Sequence, residues 1–122
     1  MDTRPVLVVD DDPDIRETLR FVLEDAGYPV YLAGNGKEAL DLLASIDRPP
    51  GLILLDLMMP IMSGDEMLRA LKAVHALAAI PVTIVTASGA AMPREATGIL
   101  KKPVDLDALL RVVAKNCGAV SP

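Results

Sequence analysis

Leu52-Ile53-Leu54-Leu55-Asp56-Leu57-Met58-Met59-Pro60 decides the fold. Four consecutive aliphatic residues show no apolar–polar alternation, so the run reads as a strand buried on both faces, ending in a carboxylate. The proline closes the loop that follows. Val6 to Val9 repeats the pattern and ends in Asp10-Asp11-Asp12. Val30 to Ala33, Pro81 to Thr86 and Ile99-Leu100-Lys101 complete five short strand-like runs. Helical patterns lie between them. Pro13 suits a first helical turn, Asp12 can cap it, and Ile15, Leu19, Val22 and Ala26 follow at helical spacing before Gly27 stops it. Asn35 and Glu38 form a capping-box-like start to a helix bearing Ala39, Leu40, Leu43 and Ile46. Ser63 and Glu66 do the same for Met67, Leu68, Leu71 and Val74, and Asp105 caps a last helix with Leu106, Leu109, Leu110 and Val113. Between Ala87 and Gly98 there is no clear stripe and room for at most one short helix. Strand–helix alternation over the whole chain implies one domain with a parallel sheet covered on both faces.

The 122 residues fit a single domain, read here as 1–122 with a frayed tail at 119–122. Apolar residues make up 52% and charged residues 24%, a globular balance rather than a disordered one. The only aromatics are Phe21, Tyr28 and Tyr31, so the core is aliphatic and a base-stacking surface is not expected. A net charge of −5 argues against direct nucleic-acid binding. One cysteine, Cys117, and one histidine, His75, cannot make a disulfide or a Cys/His zinc set. That usage fits a reducing, cytoplasmic setting. No apolar run reaches membrane-spanning length, and the N-terminus has no signal-peptide pattern.

In parallel sheets of this kind, ligands bind at the carboxyl edge, beside the point where strand order reverses. The residues collected there are Asp10, Asp11, Asp56, Thr86 and Lys102. Carboxylates this close repel unless a cation sits among them. An all-oxygen set suits Mg²⁺, which keeps waters and takes one or two carboxylates together with phosphate oxygens. A carboxylate can also act as nucleophile and form an aspartyl phosphate. Phosphoryl transfer needs mainly positioning and charge neutralisation, and a threonine and a lysine on the far side supply more of both.

The motifs Val8-Val9-Asp10-Asp11-Asp12, Leu54-Leu55-Asp56-Leu57-Met58-Met59-Pro60 with Gly64, Val85-Thr86-Ala87 and Lys102-Pro103 stand in order over nearly the whole chain. In this they resemble the receiver domain of bacterial two-component response regulators. The resemblance implies a flavodoxin-like, doubly wound, five-stranded parallel sheet of order 2-1-3-4-5. It implies that Asp56 accepts a phosphoryl group from a phosphohistidine of a sensor histidine kinase or phosphotransfer protein. Asp10 and Asp11 would hold Mg²⁺, Asp11 the more directly, with Asp56 and the main-chain carbonyl of Met58 as further ligands. Thr86 would turn toward the phosphoryl oxygens, and Lys102, joined to Pro103 by a cis bond, would pair with them. Such a chain is a signalling switch with an unidentified output partner, not an enzyme acting on other substrates.

Two features depart from the family pattern. Ile99 stands where the family usually has an aromatic residue, three positions before the lysine. The stretch from Thr86 to Lys102 is several residues short, so the fourth helix is expected to be short or missing. These features motivate an alternative, an interaction module with a receiver fold that works without phosphorylation. A third reading, a Mg²⁺-dependent phosphatase of the haloacid dehalogenase type, is suggested by Asp10-Asp11-Asp12. It is opposed by Asp14, where Thr or Val is expected, and by the short chain. Lys101 rivals Lys102, and the match of Lys102-Pro103 to the family pattern favours Lys102. Met58, Met59, Met62 and Met67 read as packing or loop contacts, His75 as a surface helix residue and Cys117 as a helix-face thiol without chemistry.

Overall fold

The computed structural model describes residues 3–87 and 92–119. The tail at 120–122 and the centre of the hard-to-read stretch, 88–91, lie outside them. The elements run β1 (Val6–Val9), α1 (Pro13–Asp25), β2 (Val30–Ala33), α2 (Gly36–Ser45), β3 (Leu52–Leu55), α3 (Gly64–Ala73), β4 (Val82–Thr86), β5 (Gly98–Lys101) and α4 (Leu106–Cys117). The five strands form one parallel sheet in the order β2-β1-β3-β4-β5. This is the doubly wound order expected from the sequence. Strand order reverses at β1 and β3, so the ends of those two strands flank the crevice. Among the described residues no helix lies between β4 and β5, in keeping with the expected short or missing fourth helix.

The continuous apolar runs are explained by two separate cores. Leu7, Val9, Ile53, Leu55, Val82 and Ile84 face α2 and α3, and pack with Ala39, Leu43, Met67, Leu68 and Leu71. Val6, Val8, Leu52, Leu54 and Val85 face α1 and α4, and pack with Leu19, Leu23, Leu109, Val113 and Cys117. Alternate side chains of one strand therefore serve opposite layers. All four residues of β1 and of β3 are buried. A single aliphatic side chain buried this way contributes about 1.5–3 kcal/mol. That energy anchors the two strand ends where charge collects.

The caps fall close to expectation. Asp12, Asn35, Ser63 and Asp105 each accept a backbone N–H of the helix they start. Ser63 and Glu66 make a reciprocal box. At α2 the reciprocal bond differs, because Glu38 accepts from the amide of Gly34 rather than of Asn35. Gly27 ends α1 with φ 99°, a left-handed conformation that glycine adopts without a Cβ clash. Several positions differ from the sequence reading: Ala26 and Ile46 cap α1 and α2, and Pro81 precedes β4. Asp56 lies one residue past β3 instead of inside it. Val74 caps α3 rather than extending its buried stripe and is exposed. His75 is exposed in the turn after α3, not on a helix. Cys117 is buried at the end of α4, where its thiol donates to the Pro5 carbonyl at 3.6 Å and burial pushes its pKa up to about 11. Such a thiol is not reactive at neutral pH.

Gly64 fixes the approach of α3 to the end of β3. Its amide donates to the Leu57 carbonyl at 3.1 Å. A Cβ there would lie 2.5 Å from the Asp56 carbonyl oxygen and 2.7 Å from the Leu57 Cα, both backbone atoms that cannot swing away. Gly64→Ala is therefore expected to lower stability by about 1–3 kcal/mol, as overpacking does. Urea denaturation of the two chains checks this, and an unchanged midpoint would show that the helix has room to retreat.

Candidate functional site

Each strand end delivers one part of the site. Asp10 follows β1 and is 2% exposed, and Asp56 follows β3 and is 6% exposed. Asp11, next in the β1–α1 turn, is exposed. One carboxylate oxygen from each of Asp10, Asp11 and Asp56 can be chosen so that all lie within 4.8 Å of one another. Thr86 ends β4 and is buried. Its carbonyl accepts the Lys102 amide at 2.9 Å, which ties the lysine to the same edge. The Lys102–Pro103 bond is cis, as the family resemblance implied.

The sequence favoured Lys102 over its rival Lys101, and the geometry agrees. Lys102 Nζ donates to Asp10 Oδ2 at 2.9 Å and stands 3.5 Å from Asp56 Oδ2. Lys101 is exposed. The remaining oxygens of the two buried carboxylates are held by main-chain amides: Asp12 N donates to Asp10 Oδ1 at 2.9 Å, and Met58 N to Asp56 Oδ1 at 3.1 Å. Met58 thus reaches the site through its backbone while its side chain is exposed. Met59 and Met62 pack against the core facing α2 and α3, and Met67 lies within it. Met59, Met62 and Met67 thus serve packing and Met58 belongs to the loop, within the packing-or-loop reading of the sequence. The loop also carries Ile61 at φ 69°, a left-handed conformation rarely adopted by a β-branched residue.

The electrostatics follow from burial. Burial is the largest effect on Asp56 and pushes its carboxyl pKa upward. The amide of Met58 pulls it back, Asp10 adds repulsion, Lys102 opposes that, and Asp11 adds a little more. For Lys102, burial works to lower the ammonium pKa, but the hydrogen bond and charge of Asp10, joined by Asp56, outweigh it and the net shift is upward. One half-buried cation is therefore shared by two buried carboxylates, with a third carboxylate alongside. The cluster has an excess of negative charge, only oxygen donors, and one open, solvent-facing member. Those features fit a hard divalent cation such as Mg²⁺ better than a softer metal.

Arg16 was not singled out in the sequence. Its Nη1 donates to the Asp10 carbonyl oxygen at 2.7 Å. A signal was available, because a cation in the first turn of a helix opposes the helix dipole and needs a local acceptor. Ile99, the departure from the family pattern, is half-buried against the core facing α2 and α3.

The lysine assignment predicts an asymmetry. In metal-free buffer, Lys102→Met should cost about 1–3 kcal/mol, because two buried carboxylates lose their shared cation. The estimate is below that for a fully buried pair because Lys102 keeps 18% exposure. Lys101→Met should change stability by less than about 0.5 kcal/mol. Thermal melts of both variants in EDTA test this, and equal losses would mean that the lysine charge is not what holds the site.

Comparison with known proteins places this geometry. The family model described as response regulator receiver domain matches residues 6–114. An uncharacterised 14.6 kDa protein of Leptolyngbya boryana is 40% identical over 96% of this chain and 92% of its own length. Response regulator MprA of Mycolicibacterium vanbaalenii is 42% identical over 86% of this chain, which spans only 46% of that regulator. A response regulator receiver protein from Pseudomonas putida superposes with a TM-score of 0.83 at 31% identity, covering 94% of this chain and 98% of that one. With the family match spanning most of the chain, and with strand order and acidic edge in agreement, the chain belongs to the response regulator receiver domain family of two-component signalling systems.

Proposed function

We propose that the chain is a phosphoacceptor switch in which Asp56 takes a phosphoryl group in a Mg²⁺-dependent reaction. The observation that carries this reading is the placement of Asp56. Its carboxylate is buried at the end of β3, beside Asp10 and Asp11, with Lys102 3.5 Å from Oδ2. The donor would be a phosphohistidine on a sensor histidine kinase or phosphotransfer protein.

Each residue has a part in that reaction. An Asp56 carboxylate oxygen attacks phosphorus, the P–N bond breaks, and the imidazole nitrogen keeps its electron pair. The Met58 amide fixes Oδ1 and so orients the nucleophile toward the Lys102 side. Asp10, Asp11 and Asp56, with the main-chain carbonyl of Met58, would hold Mg²⁺. Bound there, Mg²⁺ supplies neutralisation of the negative charge that gathers as a phosphoryl group approaches. Lys102, now held mainly by Asp10, would exchange part of that contact for the phosphoryl oxygens. Thr86, buried at the same edge, would supply its hydroxyl to them. Water attack on the aspartyl phosphate resets the switch. The chain would act on itself and not as an enzyme on other substrates.

The phosphorylated state would alter contact with an output partner, in the cytoplasm, where phosphohistidine donors and a free thiol at Cys117 are both at home. Direct nucleic-acid binding fits neither the net charge of −5 nor the scarcity of aromatics. No helix among the described residues is long and apolar enough to cross a membrane.

Intact mass after incubation with acetyl phosphate and Mg²⁺ tests the reading. A gain of one phosphoryl group is expected, lost in EDTA and in Asp56→Asn. The initial rate should fall with acidification, because a proton on Asp56 removes the nucleophile and competes with Mg²⁺ for the carboxylates. Failure of uptake both from small donors and from a phosphorylated histidine kinase would favour the phosphorylation-independent module. So would uptake that leaves partner binding unchanged.

A further inference from the structure

Arg16 sits on the first turn of α1, where its own amide donates to the Asp12 carbonyl at 3.0 Å. Helical side chains lean toward the N-terminus, so the guanidinium folds back over the turn it has just left. There its Nη1 donates to the Asp10 carbonyl oxygen at 2.7 Å. The bond spans the segment that carries Asp11 and Asp12, and it grips the residue whose side chain holds Lys102. The contact is to the main chain, so Arg16 sets geometry without competing for the carboxylate oxygens.

The neighbourhood is shaped around this side chain. Arg16 is half-buried. Gly34, just past β2, leaves it space: a Cβ there would stand 3.3 Å from Arg16 Nη1 and 3.8 Å from Cζ. Glu38 borders the same position: its Oε1 accepts the Gly34 amide at 3.2 Å and its Oε2 would be 3.7 Å from the same Cβ. The Asp10 amide in turn donates to the Ala33 carbonyl at 3.1 Å. The end of β1 is thus held through the Asp10 amide by β2 and through the Asp10 carbonyl by Arg16. A cation in the first turn of a helix is ordinarily unfavourable, and here the Asp10 carbonyl gives it a strong charge-assisted acceptor.

We propose that Arg16 is a positioning residue for the phosphoryl-transfer site: by holding the Asp10 carbonyl in the space left by Gly34, it fixes the turn that presents Asp10 and Asp11 to Mg²⁺. The inference rests on the phosphoacceptor reading above. Hydrogen-bond partners standing behind metal ligands commonly change metal affinity by about 10–100-fold when removed. One main-chain contact places Arg16 at the lower end of that range.

The test uses the whole chain and four variants: Arg16→Gln, Arg16→Lys, Gly34→Ala and, as a distant control, Arg20→Gln. Mg²⁺ affinity is measured by titration calorimetry, amide exchange at Asp11 and Asp12 in metal-free buffer, and thermal stability alongside. Arg16→Gln is expected to weaken Mg²⁺ binding about tenfold and to speed exchange at Asp11 and Asp12. Arg16→Lys, which keeps one charged donor, should recover a large part of both. Gly34→Ala, which crowds the guanidinium, should shift both in the direction of Arg16→Gln. Arg20→Gln should match the parent. Arg16→Gln with parental Mg²⁺ affinity would overturn the proposal. So would a loss that Arg16→Lys fails to rescue and that merely tracks a fall in melting temperature. A parent chain that binds no Mg²⁺ would overturn the phosphoacceptor reading and the role of Arg16 together. A parent that binds Mg²⁺ normally while Arg16→Gln does the same would overturn the role of Arg16 alone.

Discussion

Two buried carboxylates, Asp10 and Asp56, share a single lysine, and the rest of the molecule exists to keep them together. With their oxygens within 4.8 Å, two such charges repel by roughly 3 kcal/mol at an effective dielectric near 20. Lys102 offsets part of this through a 2.9 Å contact with Asp10 and a 3.5 Å approach to Asp56. Asp11 remains as excess charge at the open side. A loop could not hold such a cluster, because it would spread and solvate its charges. Strands β1 and β3 can, since both are buried along their whole length between two aliphatic layers. Parallel pairing then places their ends side by side. The tension is stored at the site and its cost is met in the core, a common arrangement where charge is kept for chemistry.

This division of labour explains what the sequence revealed. Unbroken aliphatic runs at Val6–Val9 and Leu52–Leu55 announce strands buried on both faces, and the carboxylates that end them announce the site. Local chemistry also made the helix starts legible at Asp12, Ser63 and Asp105. Legibility failed where a side chain acts across the fold. Glu38 satisfies Gly34 instead of its own cap because the β2–α2 turn brings that amide nearer. The Lys102-Pro103 pair already favoured Lys102 over Lys101, but that Lys102 reaches Asp10 from the end of β5 is a fact of tertiary structure. Arg16 escaped notice because its acceptor is a main-chain carbonyl, which carries no residue-type signal. Val74 and His75 were assigned to a helix that ends one residue earlier, a boundary set by packing rather than by propensity.

The region after β4 gives this receiver its own character. In the described residues β4 passes to β5 without a helix, and Ile99 sits half-buried against the layer of α2 and α3. An aliphatic side chain there has no polar handle to offer the site. The links at this edge include a main-chain bond and a side-chain pair. The Thr86 carbonyl holds the Lys102 amide, and the Lys102 side chain holds Asp10. Any output face built on these links differs in composition from one built around an aromatic switch.

The central claim is that repulsion at the acidic edge is stored by the fold and relieved by a cation. The raised Asp56 pKa means that ionised Asp56 destabilises the folded chain above that pKa, and that the penalty fades as pH falls toward the ordinary carboxylate value. The most direct measurement is the melting temperature of the parent and of Asp56→Asn at pH 7, in EDTA and across a Mg²⁺ titration. The account predicts that Asp56→Asn is the more stable chain in EDTA, because it removes a carboxylate whose ionised form burial and repulsion disfavour. It also predicts that added Mg²⁺ stabilises the parent more and closes the gap. A parent that is the more stable chain in EDTA and indifferent to Mg²⁺ would contradict it.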